Sequence, residues 1–132
     1  MQEAVVDPHL QPGANRSLIA SGKGATNYNQ DFYDYYRGWK RNNPYATVDD
    51  FADMQRDWQT KHKLQDYITK AEADTPVRGD FPSPDKRKDG YQYIIDTPEV
   101  RNHIVDGKRV SPNGLIGRWN ARTGKFDIEK VL

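Results

Sequence analysis

Asn29-Gln30-Asp31-Phe32-Tyr33-Asp34-Tyr35-Tyr36-Arg37-Gly38-Trp39 is the densest aromatic stretch of the chain. Phe32, Tyr35, Tyr36 and Trp39 recur at i, i+3, i+4 and i+7, which places them on one face of a helix. The spacing predicts a helix from about Tyr28 to Asn42, opened by a capping box of Asn27 and Gln30. Gly38 weakens it by about 1 kcal/mol relative to Ala. Pro44 forbids continuation and pushes Asn43 out of helical geometry. Ten of the fifteen Phe, Tyr and Trp residues lie between Tyr28 and Tyr67, whereas Leu, Ile, Val and Phe together number only 24 of 132. Aromatic rings, each burying about 150–250 Å², must therefore supply the apolar area, or else present a surface that another molecule covers. Phe32, Tyr35, Tyr36, Trp39, Phe51 and Trp58 are expected to join two helices. Tyr28, Tyr33, Tyr45 and Tyr67 are the candidate protein interface.

On the N-terminal side, residues 1–27 show no usable period, and Pro8, Pro12, Gly13, Gly22 and Gly24 interrupt any regular element. The expectation is an extended arm that cannot order itself. Deleting it would abolish assembly and leave the remainder folded. On the C-terminal side, Thr47 is an N-cap with Asp50 at the third position, and acidic residues favour that helix end. Phe51, Met54, Trp58 and His62 share one face, whereas Leu64, Tyr67, Ile68 and Ala71 lie roughly opposite. Either the helix breaks near Thr60–Lys63 or one long helix touches two bodies.

Residues 74–90 read as a Pro- and Gly-rich linker. The last segment, 91–132, reads as β structure. Tyr91–Ile95 is a strand, and Thr97-Pro98-Glu99 is an N-cap followed by Pro at the first helical position. Asp106-Gly107 suits the type I′ turn of a hairpin over Ile104–Val110. A second hairpin pairs Leu115–Trp119 with Lys125–Leu132, with Leu115, Trp119, Phe126 and Ile128 on its buried face. The fold class is α+β: an extended arm (1–27), a helical segment of two aromatic-rich helices (28–73), a linker (74–90) and a small antiparallel β unit (91–132).

Composition narrows the function classes. Net charge is +1 and the mean hydropathy is −1.03. The chain has no cysteine, which removes disulfide and thiolate chemistry. No apolar run approaches the roughly 18 residues of a membrane span, so a soluble protein is expected. His9, His62 and His103 are far apart and suggest no zinc site. Asp49, Asp53 and Asp57 line one helix flank and read as a solvated acidic face rather than a cation site. Arg78-Gly79-Asp80 matches an adhesion tripeptide but reads as a turn, and Gly22-Lys23-Gly24 lacks the spacing of a phosphate loop. No catalytic, cofactor-binding or metal-binding residue is assigned.

The strongest charge asymmetry lies in the C-terminal hairpins. Residues 101–125 carry Arg101, Lys108, Arg109, Arg118, Arg122 and Lys125 against Asp106 alone, a local charge of +5. With Trp119 among them, this set is the candidate contact for nucleic acid or for an acidic partner. With His103 as acid or base, it also frames the alternative of a small, toxin-like, metal-independent nuclease.

Asn43-Pro44-Tyr45, Asp50-Phe51, Trp58, His62-Lys63-Leu64 and Tyr67-Ile68 together resemble helical segments of bacteriophage virion proteins, including those ejected with the genome. The resemblance covers about 26 residues. It implies a structural or accessory subunit of a particle. The leading expectation is a non-enzymatic structural or adaptor protein whose partners are other protein subunits.

Overall fold

The computed structural model describes residues 12–132, and its architecture is α+β. Helix α1 spans Pro12–Asn42, α2 Val48–Lys61 and α3 Leu64–Ala73. A single 3₁₀ turn at Pro84–Lys86 interrupts the connection to strand β1, Gln92–Ile95. Then follow the short helix α4 (Pro98–Arg101), β2 (Ile104–Val105), β3 (Lys108–Arg109), β4 (Leu115–Asn120) and β5 (Lys125–Val131).

The extended arm expected over residues 1–27 is helical from Pro12 onward, and residues 1–11 lie outside the described residues. The helix therefore does not start at Tyr28, and Asn27 and Gln30 are mid-helix residues. Gln30 donates to Asp34 Oδ1 rather than capping a helix start. The reason is a stripe at a spacing of four: Arg16, Ala20, Gly24, Tyr28, Phe32 and Tyr36. Ala20 is fully covered and Gly24 is buried. A Cβ on Gly24 would lie 2.7 Å from Ile68 Cα, so the absence of a side chain there lets α1 and α3 approach backbone to backbone. Tertiary packing thus overrides the low helix propensity of the glycines.

A spacing of four turns about 40° further round the helix at each step. The buried face of α1 accordingly changes partner along its length. Gly24 meets α3, Tyr28 sits edge-on to both Trp58 and Tyr67, and Phe32 meets Trp58 and Phe51. Tyr36 and Trp39 close the series on Phe51. Edge-to-face pairs of this kind contribute about 0.5–1.5 kcal/mol each beyond burial. Tyr35, expected in this set, is instead exposed.

The capping box of α2 is present: Asp50 N donates to Thr47 Oγ1 (3.2 Å) and Thr47 N to Asp50 Oδ2 (2.9 Å). Met54 and Trp58 are buried, and His62 stacks on Trp58 at 4.4 Å. The helix breaks at His62, which is extended, so the two apolar faces belong to two helices.

The sheet has the order β1-β4-β5, all antiparallel. One face carries Tyr93, Gly117, Trp119 and Phe126, with Tyr93 only 2% exposed. Ile128 follows on that face, opposite Gly117, but is exposed, since β5 is the edge of the sheet. Arg87 lies over the rings of Phe81, Phe126 and Trp119 at 4.5–4.9 Å and donates to Pro82 O, so part of the linker forms the lid of this core. A bulge between Ile116 and Gly117 leaves Glu129 unpaired on β5. Such irregularity blunts an edge strand against further pairing.

Helices and sheet are joined through Arg16. Its guanidinium donates to Thr75 O (3.1 Å) and Gln92 O (2.8 Å), pairs with Asp80 (3.1 Å) and lies 4.6 Å from the Tyr93 ring. Arg118 reinforces the junction by pairing with Asp74 beside α3 and with Glu129.

Candidate protein-docking site

The turn between α1 and α2 is the most exposed apolar feature among the described residues. Asn43 Nδ2 donates to Trp39 O and seals the end of α1. Pro44 then directs the chain outward, and Tyr45 stands 95% exposed, followed by Val48 at 84%. A ring left in water at the tip of a capped, rigid turn has no role in the core. Inward of Tyr45 lies an open cleft of about 640 Å³, with Trp39 and Met54 among its walls and Asp50, Asp53 and Asp57 along one side. Trp39 also borders a smaller recess of about 190 Å³ with Tyr36, Val48 and Phe51. The tip therefore has an aromatic wall on both sides of the turn. Asp50 is engaged in the capping box, and among the described residues Asp53 pairs only with its exposed neighbour Arg56 at 3.6 Å. With Asn42, Asn43 and three carboxylates in its lining, this is a mainly polar surface suited to a positively charged group.

The four tyrosines assigned to an interface are placed in two ways. Tyr45 and Tyr33 are exposed, Tyr33 with Arg37 at 5.7 Å from its ring. Tyr28 and Tyr67 are half-buried and pack on each other. The Tyr67 hydroxyl donates to Asp31 Oδ2 at 2.6 Å, and this hydrogen bond to a carboxylate pushes the phenol up to about 12. Their helical placement faces α1 to α3, so these two serve the helix junction.

The basic set is also divided. Arg101 pairs with Asp96, and Arg118 with Asp74 and Glu129. Trp119 is buried beneath Arg87 and has no open face for a base. Lys108, Arg109, Arg122 and Lys125 are exposed and make no ion pair among the described residues, but they lie on two different hairpins. His103 is exposed and its ring makes no hydrogen bond among the described residues.

Other motifs are absorbed by the fold. Arg78 pairs with Asp96 at 2.6 Å and Asp80 with Arg16, so both charges of Arg78-Gly79-Asp80 are engaged in ion pairs. Gly24 is the helix contact described above. No group of three or more His, Asp or Glu among the described residues is arranged to hold a metal ion. No helix among the described residues is long and apolar enough to cross a membrane. No family model, curated protein or solved structure matches the chain.

Sequence reasoning missed Arg16, the residue that ties the two halves together. The available signal was its position four residues before Ala20 and eight before Gly24, in line with Tyr28 and Phe32.

Proposed function

We propose that this chain is a non-enzymatic structural or adaptor protein that binds other protein subunits through the α1–α2 tip, as a minor component of a bacteriophage particle. The observation that carries the reading is Tyr45, 95% exposed at the rim of an acidic cleft that includes Trp39, on a turn whose backbone is capped on both sides. Rigid aromatic anchors of this kind dominate interface energy, because little conformational entropy is lost when they dock. The resemblance of residues 43–68 to virion-protein helices supplies the particle context. The protein would act in the virion or in the host cytoplasm during assembly. Internal use of Arg101, Arg118 and Trp119 weighs against the nuclease and nucleic-acid readings, since these residues would have to leave their partners to meet a phosphate or a base.

The test is site-specific photo-crosslinking in the cells that naturally produce the protein. A benzophenone amino acid at position 45 should yield a covalent adduct with a protein, and the same group at exposed Asp89 should not. No protein adduct at position 45 would sink the reading.

A further inference from the structure

The hairpin β2–β3 is the second exposed apolar element. Its turn uses Asp106 and Gly107 at φ 53° and 77°, and Ile104 pairs with Arg109 and Val105 with Lys108. Each face of the hairpin thus carries one branched aliphatic side chain beside one cation. Ile104 is 58% exposed, and Val105 and Val110 are also exposed. A two-stranded hairpin with both faces in water does not support itself. It is held at its root, where Val110 N donates to His103 O and Ser111 Oγ to Val100 O. The result is a stem, held at its root, whose strands carry aliphatic and cationic side chains behind a turn that bears the single carboxylate of Asp106.

The cleft at the α1–α2 tip carries the opposite charge, with the carboxylates of Asp53 and Asp57 in a largely polar lining that also includes Trp39 and Met54. No residue of 74–132 lines the cleft, so the molecule does not fill it with its own hairpin. The cleft lies at the C-terminal end of α1. The hairpin belongs to the β unit that Arg16 anchors near the N-terminal end, about 40 Å away along the helix. We infer that the cleft of one copy receives the β2–β3 hairpin of a second copy, head to tail. Such heterologous contacts leave a free cleft and a free hairpin after each addition, so they build open chains or rings. Opposite charges at the two surfaces set the direction, since cleft-to-cleft and hairpin-to-hairpin encounters repel. This inference rests on the docking reading above and names its partner.

The experiment is sedimentation velocity on the purified full-length chain, from about 10 µM to about 1 mM, because contacts of small area give weak association. The wild type should sediment faster as concentration rises, and about 0.5 M salt should suppress this by screening. Lys108→Glu/Arg109→Glu and Asp53→Lys/Asp57→Lys should each weaken association at least about tenfold. All four side chains are exposed, so circular dichroism should stay unchanged. An equimolar mixture of the two variants should associate again, because each reversed surface then meets its opposite. A wild type that stays monomeric throughout, variants that associate as the wild type does, or a mixture that stays monomeric would each overturn the inference. A monomeric wild type whose position 45 still crosslinks to a different protein would overturn self-association and leave the docking reading standing.

Discussion

Gly24 and Gly38 lie in the same helix under opposite constraints. A Cβ on Gly24 would stand 2.7 Å from Ile68 Cα and 2.8 Å from Ile68 N, both backbone atoms that no rotamer change can move. A Cβ on Gly38 would meet nothing within 4 Å. Replacing Gly by Ala in a helix interior gains about 1 kcal/mol of propensity at either place. At Gly24 that gain is outweighed, because the helices must separate and overpacking costs about 1–3 kcal/mol. Tyr28–Tyr67 and Tyr67–Asp31, which depend on the same approach, would loosen with it. Gly24→Ala should therefore lower stability and Gly38→Ala should raise it by about 0.5–1 kcal/mol. Urea denaturation of the two variants checks this, and a stabilised Gly24→Ala would show that α1 and α3 do not touch as described.

Elements whose cause is local are legible in the sequence, and elements whose cause is tertiary are not. The β2–β3 turn is fixed by Asp106-Gly107, α2 by the Thr47–Asp50 box and α4 by Thr97-Pro98, each within four residues of its effect. The first half of α1 has no such cause. Its buried stripe is made of Arg16, Ala20 and Gly24, which a search for apolar periodicity passes over. The candidate site divides in the same way. Tyr45 stands out because Asn43-Pro44 ends a helix just before it, whereas Tyr28 and Tyr67 depend on which helix faces which. Arg118 and Trp119 look like a free basic surface until Asp74, Glu129 and Arg87 are brought to them from elsewhere in the chain. Asp96, just after β1, ties α4 to the linker that precedes the β unit by accepting hydrogen bonds from Arg101 and Arg78. The hydrogen bond from Arg101, with the positive charge of both arginines, holds the Asp96 carboxyl at about 2, below its ordinary 3.8. Folding thus favours the ionised form. Its contribution is complete above the ordinary value and is lost as pH falls through about 2. Asp96→Asn should be less stable than wild type near neutral pH, and the gap should close between about pH 4 and pH 2. Melting temperatures across that window check the sign, and a gap at pH 2 as large as the one near neutral pH would contradict the pairing.

At the scale of the molecule, a helical half and a β half meet, among the described residues, at a junction built on polar groups. Arg16 meets three segments there, at Thr75, Asp80 and Gln92. Arg118 adds Asp74, and Lys88 reaches Glu72 at 3.9 Å. Removing residues 1–27 takes away Arg16, Ala20 and Gly24 together, so the remainder should not stay folded, contrary to the expectation for a detachable arm. A single change isolates the junction from the helix contact. Arg16 is 4% exposed, and Arg16→Met keeps much of its length and helix propensity but leaves Asp80 and two carbonyls without their donor. Breaking a buried pair from one side costs about 3–5 kcal/mol, a large part of the roughly 5–15 kcal/mol that holds a domain together. Trp58 reports on the helical half and Trp119 on the sheet, so single-Trp versions of the chain can follow each half in denaturant. With Arg16 present, the two transitions should coincide, because neither half keeps its contacts when the other opens. With Arg16→Met both midpoints should fall, and the Trp119 transition should separate from that of Trp58, since Tyr93 loses the guanidinium lying over its ring. Coincident and unshifted transitions in the variant would show that the halves are joined by something other than Arg16.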